Sequence, residues 1–142
     1  MATVYAFVTE LPQPLPAAID TLRAALAAEQ MGIVSEVDVQ ATLKTKLGLD
    51  THPTRLLGVC SPGVAHAMLE ADADIAALLP CGCGVAERTP GRTRISLQDP
   101  RVIGAMSDDP AVRAACEKAR AALARVAQRL QAAAAADAGV AA

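Results

Sequence analysis

The sequence predicts an α+β fold: a two-layer sandwich of about five mainly antiparallel strands with helices, closed by a long C-terminal helix. Three observations carry that expectation. Short β-type runs alternate with helical periodicity. A Pro-Gly pair punctuates two consecutive strand-like runs. The last third of the chain carries one unbroken apolar seam at helical spacing.

Val4 to Val8 reads as the first strand, and the prolines at 12, 14 and 16 keep the next stretch out of regular structure until Pro16 opens a helix. Ile19, Leu22 and Leu26 fall at i, i+3 and i+7, so residues from about 17 to 30 form an amphipathic helix that Gly32 closes. Ile33 to Val37 is the second strand. Asp38 caps a short helix carrying Val39, Leu43 and Leu47, which stops at Gly48. Thr54 to Cys60 is the third strand, and Ser61-Pro62 starts a helix with its stripe on Val64, Met68, Ala71 and Ile75, running toward Leu79. Cys81 to Arg88 and Arg92 to Gln98 flank Thr89-Pro90-Gly91, which suits a type II turn and hence a hairpin. Asp99-Pro100 and Asp109-Pro110 each pair a cap with a helix-opening proline. Val112, Cys116, Ala119, Leu123, Val126 and Leu130 then form the seam of the last helix. Residues 1–131 are read as one domain, and 132–142 as a low-complexity, disordered Ala-rich tail.

Composition narrows the function. Of 142 residues, 53% are hydrophobic, with one Tyr, one Phe and no Trp, so the core is aliphatic and padded by 33 alanines. A net charge of -2 lacks the basic footprint of a nucleic-acid binder, and without aromatics base stacking is out of reach. No apolar run approaches the ~18 residues that span a bilayer, and no basic segment precedes the first apolar run. The expectation is a cytoplasmic protein that binds neither nucleic acid nor membrane. Its four cysteines would then stay reduced and serve as metal ligands, catalytic thiols or inert core residues.

Position separates the four. Cys116 belongs to the helix seam. Cys60 ends a strand just before a helix N-terminus, a setting that favours a thiolate. Cys81 and Cys83 stand two apart on a strand, sharing one face at roughly 6.5 Å, a spacing that lets a soft ion be chelated by both. His66 lies nearly opposite the stripe of its helix, facing solvent or a cleft; His52 sits in a turn. Glu36 and Asp38 alternate onto one strand face, with the helix cap as the stronger use of Asp38.

Two functions fit. One is a thiol site in which Cys60, His66, Cys81 and Cys83 hold Zn or Cu, or in which Cys60 and His66 carry redox or sulfur chemistry with the other thiols resolving. The other is a non-catalytic dimeric module that binds a small molecule in an aliphatic cleft, its cysteines structural. A homodimer is expected because Leu56, Leu57, Val59 and Cys60, like Tyr5 to Val8, are apolar on both faces of their strands.

The runs Glu36 to Lys44 (EVDVQATLK), Leu56 to Pro62 (LLGVCSP), Ala65-His66 and Leu78 to Cys81 (LLPC) resemble the domain of unknown function 302 family over about residues 3 to 130. The resemblance implies an α+β domain, commonly dimeric, with no settled activity. It places Glu36, Asp38, Cys60, His66 and Cys81 at motif positions, while Gly82-Cys83-Gly84 departs from the pattern and makes Cys83 an addition.

Overall fold

The computed structural model describes residues 4–141, with the side chains of 4–137. Five strands form one sheet in the order β1-β5-β4-β3-β2, every neighbouring pair antiparallel: β1 (Ala6–Leu11), β2 (Gly32–Asp38), β3 (Thr54–Cys60), β4 (Cys81–Thr89) and β5 (Arg92–Gln98). The expected α+β sandwich is therefore present. Between β1 and β2 runs α1 (Leu15–Ala27), and between β2 and β3 runs α2 (Val39–Leu47). After β3 come α3 (Pro62–Ala71) and a 3-10 helix (Ala73–Leu78); after β5 come α4 (Arg101–Ala105) and α5 (Pro110–Ala141).

The core lies against one face of the sheet. Leu57 and Val59 of β3, Cys83 and Val85 of β4, and Ile95 and Leu97 of β5 pack with Leu22 and Leu26 of α1 and with Leu123, Val126 and Leu130 of α5. A second cluster joins Val64 and Met68 of α3, Ile75, Ile103 of α4 and Val112, Cys116 and Ala119 of α5. The α5 seam read from the sequence is buried throughout and links the two clusters, so one helix ties both halves of the core together.

Local chemistry explains most boundaries and three departures. The Asp38 carboxylate accepts from the Ala41 N–H at 3.0 Å, and Gly48 ends α2 with φ 67°. Gly91, second in its turn, has φ 78°, as a Pro-Gly type II turn requires. Yet α1 closes on Gln30, with φ 55°, rather than on Gly32, which already belongs to β2. The helix expected to reach Leu79 breaks at Asp72, whose extended backbone and side-chain bond to the Asp74 N–H compete with helical pairing. The alanine-rich segment from 132 continues α5 instead of forming a tail: alanine is the best helix former, Ala133 and Ala134 pack against the core, and Gln13 donates to Asp137 at 2.6 Å.

On the other sheet face Leu56 of β3 is 52% exposed beside Val37 of β2 at 49%. On this face Gly58 permits a close approach. A Cβ there would meet the Ser35 hydroxyl and lie 2.5 Å from Cγ of Pro80. Gly58→Ala is expected to destabilise the fold by about 1–3 kcal/mol, the cost of overpacking; a urea midpoint equal to wild type would contradict this.

Candidate functional site

The sheet ends where β3 delivers Cys60 and β4 begins with Cys81, which lies opposite Val59 in the strand register. Between these strand ends and α3 with its following 3-10 helix lies a cavity of about 270 Å³. Val59, Val64, Met68, Leu79 and Ala119 form much of its wall, with Met31, Val34, Ala65 and Pro80 around them and Cys60, Ser61 and Cys81 at the strand ends. The lining is almost wholly apolar. Chain path explains it: α3 leaves β3 immediately after Ser61-Pro62, so its first turn overhangs the sheet end. Ser61 occupies the cap position without a side-chain cap bond, contrary to its expected job, and lies on the cavity wall instead.

The four sequence-predicted site residues separate here. Cys60 and Cys81 share the cavity wall. Cys83 is 3% exposed and packs in the main core under α1 and α5, although it shares a sheet face with Cys81. His66 lies on the exposed side of α3, away from the cavity. Cys116 is buried in the second cluster, against which Cys81 packs. Among the described residues, no group of three or more His, Cys, Asp or Glu side chains is placed to hold a metal ion. A Cys3His set spanning Cys60, His66, Cys81 and Cys83 therefore does not assemble.

Burial sets the state of the thiols. It pushes the Cys81 thiol up to about 11, helped by the neighbouring Cys116 and Cys60, and it pushes Cys83 up to about 12. Both are neutral thiols at physiological pH, the opposite of an activated nucleophile. Glu36 and Asp38 do share a face, but Arg55 binds both, at 2.6 and 3.4 Å, and Asp38 also caps α2. That arrangement is an edge-strand ion pair, not an acid–base pair.

Sequence reading missed most of the wall. Met68 was legible only as part of a helix stripe, and Met31, in the turn before β2, carried no signal. Ala119 read as helix seam. Nothing in linear spacing shows that these residues face one space.

No curated protein matches the chain. A crystal structure of an uncharacterized conserved protein DUF302 from Bacillus stearothermophilus is similar at a TM-score of 0.79 and 26% identity, covering 90% of this chain and 99% of that one. No helix among the described residues is long and apolar enough to cross a membrane. The profile of the domain of unknown function DUF302 matches residues 7–130, nearly the whole antiparallel sheet and its helices, and the chain belongs to that family.

Proposed function

We propose that the chain is a binding module that holds a small, uncharged, apolar molecule in the cavity at the end of β3 and β4. The cavity itself is the observation that carries this reading: about 270 Å³ bounded almost entirely by aliphatic and sulfur side chains. Among the described residues no charged group lines its wall, so a charged guest would lose its hydration without compensation. Turnover is not part of the proposal, because no acid–base pair faces the cavity and the Cys81 thiol is held neutral.

Fluorescence titration with N-phenyl-1-naphthylamine, an uncharged apolar probe, tests it. Saturable binding of one probe per chain is expected. A signal that rises linearly with probe, without saturation, would defeat the proposal.

The module is further proposed to act as a homodimer. Val37 and Leu56 are cross-strand neighbours, 49% and 52% exposed, and leave an apolar patch on β2 and β3. Light scattering at tens of micromolar should give twice the chain mass and return to one chain mass for Leu56→Lys; a monomeric wild type would refute it.

A further inference from the structure

We propose that the guest of this cavity carries an aromatic ring, selected by the sulfur side chains around it. The inference rests on the apolar-guest reading and names the class of molecule within it. The chain holds four cysteines and four methionines, and two of each line this one cavity. A methionine thioether gains from contact with an aromatic ring, its sulfur about 5 Å away and often at the ring edge, a gain that a saturated ring of the same size does not offer. The chain brings no ring of its own to this wall. Its one Tyr and one Phe, Tyr5 and Phe7, both lie outside it, and Phe7 packs against the main core cluster with the Arg120 guanidinium over its face.

Placement lets a ring meet sulfur from two sides. Met31 belongs to the main cluster and directly precedes Gly32, which pairs with Cys60 at the end of β3; Met68 belongs to the second cluster, on α3. The cavity draws its wall from both clusters, so a guest that fills it touches a methionine of each. Sulfurs set apart in this way suit a ring, because each sulfur–ring contact is made separately. Size agrees. An apolar cavity of about 150 Å³ takes one benzene, so about 270 Å³ has room for a substituted ring or two fused ones. Charge adds to the preference: the face of an aromatic ring is negative, and Cys81, pushed up to about 11, keeps an S–H donor where a thiolate would repel that face.

Displacement of N-phenyl-1-naphthylamine from the full chain by benzyl alcohol and by cyclohexylmethanol is the test, with the probe's own affinity for each protein measured first. The two alcohols are uncharged and equal in heavy atoms, and the hydroxyl they share cancels in the ratio of their affinities. Met31→Leu and Met68→Leu preserve volume and remove the sulfur. Together they are expected to weaken benzyl alcohol by about fivefold or more, the sum of two modest sulfur–ring contacts, while cyclohexylmethanol stays within about twofold. Each substitution alone should give a smaller loss of the same kind. Met106→Leu, at a side chain 69% exposed and outside the cavity, should move neither alcohol. The proposal is overturned if the leucine variants weaken both alcohols equally or neither, or if benzyl alcohol fails to displace the probe from wild type. Probe binding with an unchanged affinity ratio removes only this inference, whereas a wild type that binds no probe removes the apolar-guest reading and this inference with it.

Discussion

Ala65→Trp is expected to lower the affinity for a neutral apolar probe by about tenfold or more, equivalent to ~1.4 kcal/mol, while leaving the protein folded. Ala65 lies in the first turns of α3 and lines the cavity, yet it is only half-buried and belongs to neither core cluster. An indole from this position fills space that a guest would use. Because Ala65 belongs to neither core cluster, the larger side chain enters the cavity without forcing the core apart. Far-UV circular dichroism and a urea midpoint near that of wild type would establish the fold. Probe binding unchanged in a folded variant would mean that the guest sits elsewhere.

The second large effect concerns alkaline pH. Cys83 is buried in the main core and its thiol is held up to about 12, while Cys81 is held up to about 11. In the unfolded chain both titrate near an ordinary thiol value of 9.0. Folded protein therefore keeps protons that the unfolded chain has lost, beginning near pH 9. The stability these groups contribute is complete below that pH and drains away as pH climbs through 11 and 12. At ~1.4 kcal/mol per unit, Cys83 alone removes about 2 kcal/mol by roughly pH 10.5, with a smaller share from the less buried Cys81. Urea denaturation under reductant at pH 8 and pH 10.5 should show this loss, and Cys83→Ala should flatten the dependence. Equal slopes for wild type and variant would show that Cys83 ionisation is not what weakens the fold.

Much of the fold was legible in the sequence because local rules settle it. The six-residue α5 seam, the Asp38 cap, the Gly48 stop and the Pro90-Gly91 turn each depend on neighbours in the chain, and each is present. Where the reading failed, a competing local interaction won. Asp72 diverts its own backbone and splits a helix that the apolar stripe alone would carry on to Leu79. The 132–141 segment looked featureless because alanine gives no pattern, although that same alanine content extends the helix.

The site was less legible, for a different reason. Cys81 and Cys83 share a strand face, as alternation demands, but the layer above changes within two residues from α1 with the later turns of α5 to α3 with the first turns of α5, so the two thiols enter different clusters. Strand pairing brings Cys60 beside Cys81, and linear spacing contains no trace of it. His66 stayed on the outer side of α3, where its position opposite Val64 and Met68 had placed it. Met31, from a turn far away in sequence, closes the cavity that the cysteines begin.

The central claim is that one cavity, at the end of β3 and β4, is where this protein binds its guest. Methionine methyl groups report on it directly, since Met31 and Met68 line the cavity while Met106 is 69% exposed and outside it. Protein labelled with 13C at the methionine methyls, titrated with N-phenyl-1-naphthylamine, should show saturable shifts of the Met31 and Met68 signals with Met106 unmoved. Shifts confined to Met106, or saturating probe fluorescence with Met31 and Met68 unchanged, would place the guest outside the cavity and contradict the account.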